Sequence, residues 1–220
     1  MSKRTRLFKK RILSILISAF FILYSGCSSS NAVENIDACG KNIVFFGDSI
    51  TSGIGADKGE DFPSLIAKKI SVPIVNAGKA ADTTFDALKR LEDILDQDPF
   101  IVVVEFGGND YLNRIFLKDT IANLDKIVVT IQDRGAMVVL ISPNTTFFLK
   151  GYLKEYQHIA KRRKAVLIAN SLAGILDNPT LKSDHIHPNA QGYKILSERI
   201  LKVLMPLIEK NKLLRKKEIS

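Results

Sequence analysis

Ile43-Val44-Phe45-Phe46-Gly47-Asp48-Ser49-Ile50-Thr51 opens on four apolar residues and stops at a glycine, an acid and a hydroxyl. A short apolar run closed in this way reads as a buried strand followed by a turn. A serine placed where a strand stops can be held exposed in a cleft. Near the other end of the chain, Asp184-His185-Ile186-His187-Pro188 offers a base and an acid to orient it. Nucleophile, base and orienting acid are the groups that serine-dependent acyl transfer requires.

Outward from Ser49, apolar β-branched runs alternate with helical periodicity. The expected strands are Asn42–Phe46, Ile74–Asn76, Phe100–Phe106, Met137–Ser142 and Ala165–Ala169. They are apolar throughout, as expected of strands covered by helices on both sheet faces. Thr83-x-x-Asp86 has capping-box spacing, and Phe85, Leu88, Leu91 and Leu95 then recur on one helical face. Ile121, Leu124, Ile127, Val128 and Ile131 repeat the pattern up to Gly135, a helix stop. The tail from Ile195 to Leu214 reads as a closing helix, bent or broken near Pro206. Strand and helix alternating in this way predict an open, parallel α/β sheet. Right-handed crossovers put all strand C-termini on one edge.

The first residues read as a targeting segment. Lys3, Arg4, Arg6, Lys9, Lys10 and Arg11 form a basic start, and Ile12 to Tyr24 is apolar apart from Ser14 and Ser18. That run is shorter than the roughly 20 residues of a membrane span. Tyr24-Ser25-Gly26-Cys27 resembles a bacterial lipobox, with Tyr24 where leucine is usual. Residues 1–26 are thus expected to be a lipoprotein-type signal peptide. Cys27 would carry the lipid, residues 27–40 would form the anchor and its flexible tether, and residues 41–220 the folded domain. Such a chain would be membrane-anchored in a bacterial cell envelope, on the periplasmic or extracytoplasmic face. A secreted or soluble periplasmic form is the alternative.

The net charge is +9, and six of those charges are the basic residues of the start, which leaves about +3 beyond it. That balance, without aromatic-basic interleaving, argues against nucleic acid as a partner. If Cys27 is lipidated, Cys39 has no partner for an internal disulfide; otherwise the two could pair. His185-x-His187 raises the question of metal, but His158 is the only other histidine, so no metal site is expected. Gly53-x-Gly55 with Gly59 lacks the lysine and spacing of a nucleotide loop and reads as a loop beside the site. Thr51 stands where a Gly-x-Ser-x-Gly elbow would need its last glycine, which disfavours a standard α/β-hydrolase fold.

Ligands of an open parallel sheet bind beyond the strand C-termini. Ser49, Asn76-Ala77-Gly78 and Gly107-Gly108-Asn109-Asp110 come after the first three strands, and the Asp184–His187 segment can return to the same edge. His187 can then take the Ser49 proton, while Asp184 fixes the imidazole tautomer. The Ser49 and Gly78 backbone amides and the Asn109 side chain can meet an oxyanion. Phe147, Phe148 and Leu149, after the fourth strand, either line an acyl-binding groove or pack under a surface loop.

Gly47-Asp48-Ser49-Ile50, Asn76-Ala77-Gly78, Gly107-Gly108-Asn109-Asp110 and Asp184-His185-Ile186-His187 match, in order, the four blocks of the SGNH (GDSL-type) hydrolases. The resemblance spans Lys41 to about Leu201. It is nearest the arylesterase, acyl-CoA thioesterase and lysophospholipase branch, through Asp82-Thr83-Thr84 and Val104-Glu105-Phe106. It implies a flavodoxin-like three-layer α/β/α sandwich with a five-stranded parallel sheet, and no metal or other cofactor. It also implies Ser49 as nucleophile, His187 as base, Asp184 as its partner, and Ser49, Gly78 and Asn109 as oxyanion donors. One departure is that Ala80-Ala81 stands where the family often has Ser-Gly, which affects the shape of that loop.

The expected activity is hydrolysis of carboxylic esters or thioesters of small or lipid-like acyl groups through an acyl-enzyme. The alternatives are removal of O-acetyl groups from an envelope polysaccharide, and a non-catalytic lipoprotein that binds a partner.

Overall fold

The computed structural model describes residues 33–143 and 150–219. Five strands, β1 (Asn42–Gly47), β2 (Ile74–Gly78), β3 (Pro99–Glu105), β4 (Met137–Ile141) and β5 (Val166–Ile168), form one sheet. All neighbours are parallel and the order is β2-β1-β3-β4-β5. Every residue of β3 and β4 is buried, as the unbroken apolar runs require. The β2 and β5 strands, at the two edges, are only partly covered.

Alternate side chains of each strand serve opposite faces. Val44, Phe46, Val102, Val104, Val138 and Leu140 join one core cluster. It is closed by α3 (Thr84–Lys89), α4 (Leu91–Leu95), α6 (Leu117–Asp133) and α7 (Lys150–Arg163). Ile43, Phe45, Ile101, Val103 and Val139 join the other, closed by α2 (Phe62–Ala67) and α8 (Ala190–Ile219). The result is the expected α/β/α sandwich. Burying each such side chain contributes about 1.5–3 kcal/mol relative to leaving it in water. Phe45 packs edge-on to Phe62 of α2 at 5.3 Å, binding that layer to the sheet, and Phe46 packs edge-on to Phe106, just beyond β3, at 4.8 Å.

Three local readings are corrected. The capping box at Thr83 is present, but the helix it starts breaks at Arg90 and α4 begins anew at Leu91. The Arg90 guanidinium turns inward to Asp82 and to the carbonyls of Ala77 and Gly47. Of the expected stripe, Leu91 and Leu95 are buried and Leu88 packs against the core, but the buried face continues through Thr84 and Ala87, one position off Phe85, which is 58% exposed. The α2 helix, capped by Asp61 through the Ser64 amide, had no counterpart among the expected elements. Finally, α8 runs unbroken past Pro206. Pro206 and Lys202, whose carbonyl lacks a helical donor, are both on the exposed side, where that group is open to solvent.

In the 2-1-3-4-5 order, connections from the central strands leave in opposite directions between β1 and β3, and ligands bind at that switch point. Gly47 and Glu105 are register partners there, so the turn leaving β1 faces the turn leaving β3.

Candidate active site

Ser49 is the first residue of α1 (Ser49–Ser52), a single turn that begins directly after β1. The Asp48 side chain caps it by accepting the Ile50 amide at 3.0 Å. Gly47 makes the sharp turn possible, since a Cβ there would lie 2.0 Å from Thr51 Oγ1. The Asn76 side-chain amide donates to the Thr51 carbonyl at 2.9 Å, tying the turn to β2.

His187 Nε2 stands 3.0 Å from Ser49 Oγ, and His187 Nδ1 stands 2.7 Å from Asp184 Oδ2. Asp184 Oδ1 also accepts the Ile186 and His187 amides, each at 2.8 Å. Burial pushes the Asp184 carboxyl up, but the bonds from the His187 ring and the two amides outweigh it and hold the group at about 2. An ionised Asp184 favours the proton on Nδ1, which leaves the Nε2 lone pair facing Ser49. The Lys182–Pro188 bridge, the Ser183 amide on the His187 carbonyl and the Asn189 amide on the Leu181 carbonyl fix the loop. His185 is exposed at the edge of the cleft and belongs to none of these contacts.

Asn109 lies on α5 (Gly108–Leu112), directly after β3. Its amide donates to the Asp82 carbonyl at 3.0 Å and to Asp48 Oδ2 at 3.2 Å. Next to it, buried Asp110 accepts the backbone amide and hydroxyl of Thr84 and so clamps α3 to α5. The Ser49 amide has no intramolecular partner among the described residues. Gly78 reaches the same strand edge, and a Cβ on it would strike the Ser52 amide at 2.2 Å. Its N–H, however, is given to Asn76 Oδ1 at 2.9 Å, so the expected oxyanion donor is engaged elsewhere. The next turn, closed by the Asp82 amide on the Lys79 carbonyl, leaves the Ala80 and Ala81 amides unbonded among the described residues. Ala81 is left-handed at φ 67°, the conformation for which glycine is the usual residue.

A cleft of about 520 Å³ opens at Ser49 and Asn109 and is walled largely by Tyr111, Leu112, Leu172, Leu176 and Ile186. Phe147 and Phe148, read as lining an acyl groove or packing under a surface loop, lie outside the described residues, as does Cys27; Pro143 reaches the wall. Cys39 is an exposed free thiol. Among the described residues no three His, Cys, Asp or Glu side chains are grouped as a metal site requires, and no helix is long and apolar enough to cross a membrane.

Beneath Ser49 lie two acids whose roles were not read from the sequence. Asp48 and Glu105 are 3% and 2% exposed, and they face each other across the end of the sheet. Burial raises both carboxyls, and for Asp48 the Glu105 charge adds to it. An acid closing the otherwise apolar run Ile101-Val102-Val103-Val104 was the available sign.

A serine bonded to a histidine that is bonded to an aspartate, beside open amides and an apolar cleft, defines a serine hydrolase site. Residues 45–195 match the GDSL-like Lipase/Acylhydrolase family model, and the chain belongs to that family. It is 27% identical to the Esterase TesA of Pseudomonas aeruginosa over 199 residues, covering 85% of this chain and 98% of that one. An Arylesterase of Vibrio mimicus is 26% identical over 207 residues, covering 89% and 98%. A crystal structure of TesA superposes with a TM-score of 0.70 at 27% identity, covering 76% of this chain and 99% of that one.

Proposed function

We propose that this protein is a serine esterase that cleaves carboxylic esters or thioesters of small or lipid-like acyl groups. The observation that carries the reading is the 3.0 Å approach of His187 Nε2 to Ser49 Oγ at the mouth of an apolar cleft. Ser49 Oγ attacks the acyl carbon as its proton passes to His187 Nε2, and Asp184 stabilises the imidazolium. The oxyanion receives the Ser49 amide and an N–H of Asn109, which exchanges its 3.2 Å bond to Asp48 for the new one. Because the Gly78 amide is committed to Asn76, we assign the third donor to the Ala81 amide, beside the Asp82 carbonyl that Asn109 holds. His187 then protonates the leaving alcohol or thiol, and water repeats the sequence on the acyl-enzyme.

The names Esterase and Arylesterase among the relatives support ester substrates. The apolar walls at Leu112, Leu172 and Leu176 favour an acyl chain over a polysaccharide acetate. A fluorophosphonate probe tests the nucleophile: Ser49 should be labelled and Ser49→Ala should not. Folded protein that resists the probe would return the chain to a binding role. Comparing short and long p-nitrophenyl esters with acetate release from acetylated glycans separates the two substrate classes.

We also propose that Cys27 carries a lipid and that the enzyme works anchored in the bacterial cell envelope. The basic start, the apolar run and Ser25-Gly26-Cys27 support this. Cys27→Ser should abolish palmitate incorporation, and continued labelling would refute the anchor.

A further inference from the structure

The buried Asp48 and Glu105 carboxyl groups take no part in the acyl-transfer steps, yet both border the reacting atoms. Each has its own ring of donors. Asp48 Oδ1 accepts the Ile50 amide at 3.0 Å and Oδ2 accepts Asn109 Nδ2 at 3.2 Å. Glu105 Oε2 accepts the Thr51 hydroxyl at 3.0 Å, and its carboxylate also receives the Asp48 and Thr51 backbone amides. Glu105 therefore holds the turn that carries Ser49, and Asp48 holds the amide that meets the oxyanion. Neither acid pairs with a cation among the described residues. Arg90, whose guanidinium reaches the Gly47 carbonyl, is bound to Asp82 at 2.6 Å.

We infer that Asp48 and Glu105 hold one proton between them in the working enzyme, Asp48 as the acid and Glu105 as the carboxylate. This rests on the roles proposed for Ser49 and Asn109, and it makes the two acids positioning residues. Two bare carboxylates in a dry site repel, whereas one shared proton turns the contact into a hydrogen bond. The donor count assigns the sides, because Glu105 receives three donors from the Ser49 turn, whereas Asp48 receives two. A neutral Asp48 is a weaker acceptor than a carboxylate, so Asn109 is held in place and yet can pass its N–H to the oxyanion. It also keeps a second negative charge away from the atom on which negative charge develops.

The other groups that face the pair do not supply a compensating positive charge at rest. Tyr156 of α7 and Tyr193 of α8 are phenols raised further by burial and by these same acids. Asp110 of α5, Asp61 before α2 and Asp184 of the catalytic loop add negative field at those phenols. His187 favours ionised Asp48 only when it is itself protonated.

Infrared spectroscopy of the full chain at pH 8 tests the shared proton. The C=O stretch of a protonated carboxylic acid should be present, and both Asp48→Asn and Glu105→Gln should lose it. Absence of the band from the natural protein, or its persistence in both variants, would overturn the inference. The two variants are independent, so misfolding of one, seen by circular dichroism, leaves the other decisive. In Glu105→Gln the new amide donates to Asp48 and leaves it ionised. Its grip on Asn109 should then lower kcat by about tenfold or more with KM nearly unchanged. An unchanged kcat would remove the pair from positioning. Labelling of Ser49 is read separately: a band without labelling keeps the proton and loses the esterase, and labelling without a band does the reverse.

Discussion

Gly55 lies directly beneath the loop that carries His187, the proposed base: a Cβ on it would sit 2.4 Å from the Pro188 carbonyl oxygen and 2.3 Å from Ser183 Oγ. It also has φ near 100°, outside the range of residues with a side chain. Gly55→Ala is therefore expected to destabilise the fold by about 1–3 kcal/mol and to lower kcat by pushing His187 away from Ser49. Urea denaturation together with ester hydrolysis checks both. A variant with normal stability and normal kcat would show that the loop has slack.

The two histidines of Asp184-His185-Ile186-His187 are separable. His187 bonds both Ser49 and Asp184, whereas His185 bonds neither. His187→Ala should reduce kcat on the order of 10⁴-fold or more, as loss of a base does when three residues act as a unit. His185→Ala should change kcat by no more than a few-fold. Comparable losses would assign the base wrongly.

Asn109→Ala removes the proposed side-chain oxyanion donor and should lower kcat on the order of 100-fold or more. KM should move little, because the interaction matures only as charge develops on the substrate oxygen. Steady-state kinetics on one ester measures this, and an unaltered rate would exclude Asn109 from the mechanism.

Stability should depend on pH through two sets of acids with opposite signs. Asp184 is held at about 2, below its ordinary value of 3.8, so its contribution is present above 3.8 and is lost as pH falls toward 2. Asp48 is raised above 3.8, so the folded state binds its proton more tightly than the unfolded chain. Stability from Asp48 is complete below 3.8, declines steadily as pH rises above 3.8, and is gone above its folded value. Asp48→Asn abolishes that decline, so the difference in Tm between variant and parent should shift in favour of the variant from pH 5 to pH 8. Parallel Tm curves for the two proteins would contradict the assignment.

The sheet and the meeting of Ser49 with His187 were legible in the sequence because each rests on local pattern. Five apolar runs mark the strands, of which β3 and β4 are buried throughout and the edge strands β2 and β5 only in part, and Ser49, Asn109 and Asp184–His187 fall where those strands end or return. What escaped depends on contacts between distant residues. Arg90 breaks its helix to reach Gly47, Ala77 and Asp82, and no periodicity of neighbours reports that. Phe85, one position off the buried face of Thr84, Ala87 and Leu91, faces water. Pro206 was expected to bend or break its helix; no break occurs, since the exposed side on which it falls lets α8 continue. Gly78 occupies the expected strand edge, but the side chain of Asn76, two residues before it, takes its amide. The partnership of Asp48 with Glu105 is likewise a contact between two strand ends, invisible until they are side by side.

Ser49 and His187 are separated by 138 positions along the chain. With the proposed roles, a nascent polypeptide carries its nucleophile long before its base has been synthesised, and it should stay chemically silent until the last connection docks. Appearance of hydrolysis during refolding would then serve as a clock for completion of the sheet, with no engineered probe required. Lengthening the linker ahead of Asp184 should delay that onset while leaving the final rate intact.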